Sequence, residues 1–158
     1  MKIERMSRIL PFRCEQVFDL AADIERYPDF LSGWISARIL KREATVLHVE
    51  QVLGIGPLRI QFGSEAVLHR PERIDVTSSE PPFRHYHLRL LVTPYSAASC
   101  NLSATADLEL GSRLMQHIAD QILPASIDQA IAAFETRAHS LYAPQKPPID
   151  GGGGLNSP

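Results

Sequence analysis

The chain has 158 residues, of which 44% are apolar and 22% charged, and its net charge at neutral pH is −2. These values are typical of one globular domain with a core of its own. They give no overall electrostatic attraction for nucleic acid, and no stretch approaches the roughly 20 apolar residues that span a bilayer.

The first third of the chain predicts a strand followed by a short helix. Residues 2–9 are expected to form the strand, which Pro11 ends. A helix is then expected over about 13–24, because its apolar residues recur at helical spacing. These residues are Val17, Leu20, Ala21 and Ile24. Tyr27-Pro28 should interrupt this helix, with one more turn over 29–31.

From Trp34 onward the apolar period changes from helical to alternating. Strands are predicted over 34–39, 45–53, 58–68, 73–78, 84–93 and 98–110. Alternation in the third and last of these predicts a sheet with one buried and one solvated face, and the short turns predict antiparallel pairing. The register of 45–53 stays open, so that His48 or Glu50 either faces the core or faces solvent.

The end of the folded part predicts one long helix. Its apolar stripe consists of Leu114, Ile118, Ile122, Ile127, Ile131, Phe134, Ala138 and Leu141. Pro124 lies within the stripe and is expected to kink or split the helix. Residues 143–158 are rich in proline and glycine and are predicted to be disordered, which leaves 1–142 as the single domain.

Three segments, together with this order of elements, carry a family resemblance. They are CEQVFDLAADIERYPDFL at 14–31, EPPF at 80–83 followed by Thr93-Pro94, and AFETRAHSLY at 133–142. The chain resembles the START-like helix-grip superfamily, and within it the coenzyme Q-binding protein and polyketide cyclase/dehydrase branch. The resemblance implies an α+β fold of the helix-grip (START/Bet v 1-like) type. In this fold a curved antiparallel sheet of about seven strands wraps around a long kinked C-terminal helix, with a short helical segment between strands 1 and 2.

The resemblance also implies a ligand cavity between the sheet and the C-terminal helix. A hydrophobic isoprenoid quinone, similar to ubiquinone, is the expected ligand, and no cofactor is required. The expected lining is Tyr27, Phe30, Trp34, Ile60, Phe62, Phe83, Tyr86, Leu88, Leu90, Leu102, Ala104, Ile127, Ile131 and Phe134. Such apolar walls suit a hydrocarbon-rich ligand, but the same residues can instead fill a closed core.

Two local features each allow two interpretations. Tyr27, Phe30 and Trp34 lie near the change from helix to sheet, where they either ring a cavity mouth or attach the short helix to the sheet. The apolar turn after the second predicted strand is either a flexible lid that touches a membrane or an ordinary packed hairpin. This turn consists of Leu53, Gly54, Ile55, Gly56, Pro57 and Leu58.

The sequence favours a binding protein over an enzyme. It contains no common catalytic motif, and the inward sets of the clearest strands offer only Ser64 and Tyr86 as polar groups. His85 and His87 share one face of a strand, but no third ligand accompanies them, so no metal site is expected. Cys14 and Cys100 fit no CxxC pattern and predict neither a disulfide nor a zinc site.

The function implied by the resemblance is that of a non-catalytic lipid chaperone or carrier that supports respiratory electron transfer. One alternative is an enzyme of the polyketide cyclase/aromatase type, in which Tyr86 would be needed for turnover. A second is a ribosome-associating, translation-inhibiting toxin. Mild acidity disfavours contact with a ribosome or nucleic acid, since Arg38, Lys41 and Arg42 form the only dense basic group.

The N-terminus lacks the apolar core of a signal peptide, so a bacterial cytoplasmic location is expected, with transient contact at the inner membrane.

Overall fold

The computed structural model describes residues 2–142, and only the backbone of residues 2–6. The elements in chain order are β1 (Lys2–Leu10), α1 (Cys14–Ala22), a 3-10 turn (Ile24–Arg26), α2 (Tyr27–Phe30), β2 (Trp34–Glu43), β3 (Val46–Ile55), β4 (Leu58–His69), β5 (Arg73–Ser78), β6 (Phe83–Ser96), β7 (Ser99–Leu110) and α3 (Arg113–Leu141). This order confirms the predicted α+β plan. The disordered tail predicted for 143–158 lies outside the described residues.

The described strands form one antiparallel sheet in the order β1-β7-β6-β5-β4-β3-β2. From β2 to β7 each strand pairs with the next along the chain, as short turns require. β1 instead pairs with β7, so β1 and β2 lie at opposite edges of the sheet. The segment with α1 and α2 therefore carries the chain from one edge to the other.

The predicted alternation of β4 and β7 is confirmed. In β4, Ile60, Phe62 and Ala66 are buried while Arg59 and Gln61 are exposed. The inward side chains of β7 are all buried, namely Cys100, Leu102, Ala104, Ala106, Leu108 and Leu110. These side chains form the wall against which α3 packs.

α3 is one unbroken helix of 29 residues that continues through Pro124, so the predicted alternative of a split is wrong. The Ser112 hydroxyl caps its first turn by accepting a hydrogen bond from the Met115 amide at 3.3 Å. Proline removes only one backbone donor, and packing along the rest of the helix keeps the helix continuous.

The apolar stripe of α3 is predicted correctly only from Ile127 to Ala138. The buried side chains are Ala119, Leu123, Ile127, Ile131, Phe134 and Ala138. Leu114 and Leu141, which were predicted to be buried, are 70% and 50% exposed, and Ile118 and Ile122 are half-buried. In the first half of the helix, Ile118 and Ile122 each precede a buried residue by one position. One position corresponds to a rotation of about 100° around the helix axis.

Three predicted boundaries also differ from the structure. α1 ends at Ala22, and Tyr27-Pro28 begins α2 instead of interrupting a helix. A proline in the first turn lacks only an amide that would have no helical partner there. β6 continues through Pro94 to Ser96, close to the hairpin end, where the loss of one ladder donor is tolerated.

Candidate functional site

A small cavity of about 50 Å3 lies between the inner face of the sheet and α3, next to the turn that joins β3 and β4. Its walls come from the start of β2, this turn, β6, β7 and the middle of α3. The lining residues are Gly33, Trp34, Leu53, Gly54, Ile55, Phe83, Tyr86, Leu88, Ala106, Leu108, Leu123, Ser126 and Ile127. Because most of these side chains are aliphatic or aromatic, burial of apolar surface is the main force available to hold a ligand there.

Three side chains bring polar groups to this lining. The Trp34 indole N–H donates to the Gln51 side-chain oxygen at 2.9 Å, and the Ser126 hydroxyl donates to the Ile122 carbonyl at 3.1 Å. The Tyr86 hydroxyl has no hydrogen-bond partner among the described residues. Burial raises the pKa of Tyr86, so its hydroxyl stays protonated at neutral pH. Tyr86 is therefore the side chain in this lining whose donor is free for a ligand.

The turn between β3 and β4 closes the cavity by packing against α3. Leu53 and Ile55 are buried and line the cavity, while Gly56 and Pro57 are exposed. Gly56 has a φ of 58°, and a Cβ atom there would lie 2.3 Å from Cδ1 of Ile122. Only glycine fits so close to the helix, so in this conformation the turn is packed against α3 and covers the cavity.

An aromatic cluster joins α2 to α3 and β2. The ring of Tyr27 packs edge-on against Phe30, Trp34 and Phe134, with centroid distances of 6.1, 5.5 and 5.6 Å. The Tyr27 hydroxyl donates to the Ala21 carbonyl at the end of α1. Tyr27 and Phe30 thus attach the short helices to the core, and within this cluster only Trp34 also lines the cavity.

A chain of buried polar groups crosses β2, β3 and β4 beside the cavity. Gln51, which accepts from Trp34, donates to the Ser64 hydroxyl at 2.8 Å, and Ser64 donates to the Val49 carbonyl at 3.3 Å. Sequence analysis did not identify Gln51 as inward-facing. Gln51 lies on the same face of β3 as Val49 and Leu53, and this alternation is the pattern from which it could have been found.

The histidines that sequence analysis considered lie on the outer face of the sheet. His87 contacts Asp75 at 3.0 Å, and His85 lies 3.5 Å from Asp107. No group of three or more possible metal ligands occurs among the described residues. His48 is half-buried and contacts Glu65 on the same outer face, which resolves the open register of β3.

The predicted lining divides into two sets. The residues at the cavity are Trp34, Phe83, Tyr86, Leu88 and Ile127, with Leu53, Gly54 and Ile55 of the turn. The others pack in or against the core away from it, namely Tyr27, Phe30, Ile60, Phe62, Leu90, Leu102, Ala104, Ile131 and Phe134. Sequence analysis missed Leu123 and Ser126 because the first half of the α3 stripe was displaced.

Comparison with known proteins agrees with the observed fold. Residues 10–135 match the family model described as polyketide cyclase / dehydrase and lipid transport. A START superfamily protein from Mycobacterium smegmatis superposes with a TM-score of 0.75 at 15% identity, over 89% of this chain and 99% of that one. The shared fold is the helix-grip fold, with its curved seven-stranded sheet and long C-terminal helix.

Two curated relatives differ in what their names describe. The ribosome association toxin RatA of Pseudomonas aeruginosa is 23% identical over 86% of this chain and 94% of its own length. The mitochondrial coenzyme Q-binding protein COQ10 homolog B of Xenopus laevis is 25% identical over 90% of this chain, which spans 60% of that protein. Because the family model matches most of this chain, the chain belongs to the polyketide cyclase/dehydrase and lipid transport family.

Proposed function

We propose that the protein binds a hydrophobic lipid of the isoprenoid quinone type between the sheet and α3, and carries it without changing it chemically. The observation that supports this most directly is the largely apolar cavity where the β3–β4 turn meets α3. Its walls suit a hydrocarbon ligand, and the Tyr86 hydroxyl can donate to a quinone carbonyl oxygen. Support for respiratory electron transfer would follow from delivery of such a lipid to membrane enzymes.

The volume of the cavity implies that binding requires a conformational change. A cavity of about 50 Å3 is much smaller than the roughly 300–1,000 Å3 that enclose a small organic ligand. The contact between Gly56 and Ile122 is where the turn and α3 must separate. If about 300 Å2 of ligand surface is then buried, the gain is several kcal/mol at roughly 25 cal/mol per Å2.

A patch next to this contact is suited to meet a membrane. Leu114 is 70% exposed, and Ile118 and Ile122 continue from it along one side of α3 toward the turn. We infer that this stripe and the exposed tip at Gly56 and Pro57 touch the bilayer surface while the lipid is transferred. No helix among residues 2–142 is both long and apolar enough to cross a bilayer.

Lipid extraction and uptake test the proposal. The protein is purified without detergent and extracted with organic solvent, and the extract is examined for ubiquinone by absorbance and mass spectrometry; uptake of added quinone is measured in parallel. We expect quinone in the extract or saturable uptake. If the protein neither retains nor takes up quinone, the proposal is wrong.

A variant with a smaller cavity makes the uptake test specific. Replacing Ser126→Leu adds bulk to the cavity wall, and we expect it to lower quinone uptake at least severalfold. Thr136→Leu is the matched control, because Thr136 makes the same type of hydrogen bond to the fourth preceding carbonyl of α3 but is exposed. If the two variants take up quinone equally, the ligand does not occupy this cavity.

Two other functions remain to be compared with lipid carriage. The buried, unpartnered Tyr86 hydroxyl favours a cyclase, which would convert a polyketide substrate and lose turnover in the Tyr86→Phe variant.

The similarity to ribosome association toxins over nearly their whole length favours a ribosomal partner. Co-sedimentation with ribosomes at moderate salt tests this second function, and we expect the protein to remain in the supernatant.

A further inference from the structure

The sheet divides between β4 and β6. β5 pairs with β4 only over Glu65–His69, and with β6 only from Tyr86 to Leu91. The preceding half of β4 therefore has β3 as its only paired neighbour among the described strands. A split opens in the sheet between Gly63 of β4 and the beginning of β6.

The last residue of β5 and the loop after it bridge this split through hydrogen bonds to Gly63. The Gly63 amide donates to the Glu80 carboxylate at 2.8 Å, and the Ser78 hydroxyl donates to the Gly63 carbonyl at 2.6 Å. A Cβ atom on Gly63 would lie only 2.7 Å from Oε2 of Glu80. The glycine thus permits the carboxylate to lie directly against the β4 backbone.

A groove of about 640 Å3 lies at the split. Ser64 and Glu65 are neighbours in β4 and point to opposite faces of the sheet, yet both line it. The groove therefore lies mostly on the outer face of the sheet and is also bordered by the inward-facing Ser64, where β4 has no partner on the β5 side. Its volume falls within the range of small-molecule sites, whereas the cavity under α3 does not.

The walls of the groove combine polar side chains with the apolar Leu40 and Val49, and they suit an uncharged ligand group. They carry the imidazoles of His48, His85 and His87, the side chains of residues 77–79, and the carboxylates of Glu65 and Glu80. The two carboxylates would repel an anionic group. They are also partly engaged, since Glu65 lies 3.7 Å from His48 and Glu80 accepts from a backbone amide. The hydroxyls of residues 77 and 79 and the second ring nitrogens of His85 and His87 remain to exchange hydrogen bonds with hydroxyl or carbonyl oxygens.

Tyr86 borders both the groove and the apolar cavity. Its side chain is more than nine-tenths buried against the rings of Phe62 and Phe83, and its hydroxyl has no partner among the described residues. Because this hydroxyl makes no hydrogen bond to the described residues, it can donate to a ligand oxygen.

We propose that the groove is a headgroup subsite for an amphipathic ligand whose apolar part lies in the cavity under α3. The headgroup is uncharged and bears hydroxyl or carbonyl oxygens, and Tyr86 donates to it where the two spaces meet. This inference rests on the proposed lipid-binding function and adds the class of headgroup to it.

Amphiphiles that share one alkyl chain but differ in headgroup test the inference. Binding of an alkyl glucoside, an alkyl sulfate and an alkyl trimethylammonium is measured by calorimetry below their micellar concentrations. We expect the glucoside to bind at least about fivefold more tightly than either charged compound. In amide spectra, the glucoside should shift the resonances of Gly63 and Glu80. Equal affinities, or tighter binding of a charged headgroup, would overturn the subsite.

Three variants separate the headgroup from the tail. Tyr86→Phe keeps the ring, and we expect it to weaken glucoside binding about fivefold while the charged compounds bind as before. Glu80→Ala should also reduce the preference for glucoside, because it releases the loop from Gly63. Glu25→Ala is the matched control, since Glu25 likewise accepts from a backbone amide, that of Ile39, but lies away from the groove.

The possible failures are distinguishable. If none of the amphiphiles binds and no lipid is recovered on extraction, the lipid-binding function is wrong, and the subsite with it. If the amphiphiles bind and Ser126→Leu weakens them all, but Tyr86→Phe and Glu80→Ala leave the headgroup preference unchanged, lipid binding stands and the subsite is wrong.

Discussion

At the scale of single residues, Gly56 is the position where backbone conformation and packing most restrict the type of residue. We expect Gly56→Ala to lower the free energy of unfolding by about 1–3 kcal/mol, because it combines a left-handed backbone with a clash against Ile122. Urea unfolding measures the change. Gly111→Ala is the control, because a Cβ there meets its nearest atom at an ordinary 3.6 Å. In the Ile122→Ala background the loss should shrink; an unchanged loss would contradict the clash.

Buried titratable groups predict a loss of stability at high pH. Burial raises the pKa of Tyr27 and of Tyr86, and raises that of Cys100 to about 12. Cys14 forms a hydrogen bond with Cys100, and both thiols are free. Because the folded state holds these protons more tightly than the unfolded chain, their contribution is complete below about pH 8.5 and is lost as the pH rises toward the folded values.

The urea midpoint measured at a series of alkaline pH values tests this expectation. It should be constant from neutral pH to about pH 8.5 and fall steadily above it, and Tyr86→Phe should reduce the fall. Near-ultraviolet absorbance should show two of the four tyrosines ionising only as the protein unfolds. A midpoint that is unchanged up to about pH 11 would show that these groups are not shielded.

Some residues of the site were predictable one at a time and others were not. Trp34, Tyr86 and Ile127 were expected at a cavity because the family resemblance implies one, and their positions on apolar faces or at an element end fit it. Gln51 was missed because polar side chains are normally outward, and only its hydrogen bonds to Trp34 and Ser64 make its burial favourable. Such a pairing between distant strands is a tertiary property that periodicity does not contain.

At the scale of elements, the buried and the exposed apolar residues of α3 make very different contributions to stability. Ile131 is 2% exposed in the core, whereas Leu114 is 70% exposed. We expect Ile131→Ala to reduce the free energy of unfolding by about 2–5 kcal/mol, and Leu114→Ala to change it by less than about 0.5 kcal/mol. Chemical denaturation of both variants measures the difference. Similar losses would mean that Leu114 is packed in solution.

The same contrast explains which elements the sequence could predict. Alternation in β4 and β7 is strict, so their register, their faces and the seven-stranded sheet follow from the pattern. α3 contains two apolar lines one residue apart, and a pattern alone cannot tell which line the sheet covers. The split between β4 and β6 depends on the shortness of β5 and on the contact of Glu80 with Gly63, which no local pattern encodes.

At the scale of the whole molecule, the cavity, the β3–β4 turn and the exposed half of α3 form one side of the protein. The turn covers the cavity, and Ile122 joins the turn to the stripe that begins at Leu114. A lipid leaving a bilayer through this side would have apolar contacts along its whole path. Membrane contact and opening of the cavity are then coupled, because both involve the contact between Gly56 and Ile122.

This coupling predicts that a residue without a role in stability has a role in transfer. Replacing Leu114→Asp should leave the thermal midpoint within a few degrees of the wild type, because the side chain is already solvated. The rate at which the protein takes up quinone from uncharged phosphatidylcholine vesicles should fall severalfold, since a charge at this position opposes contact with the bilayer. Uptake of a water-soluble short-chain quinone should not change.

Tyr95→Asp is the control, because Tyr95 is 66% exposed in the β6–β7 hairpin and the charge change is the same. Equal slowing by both variants would mean that charge alone, and not this stripe of α3, determines the rate.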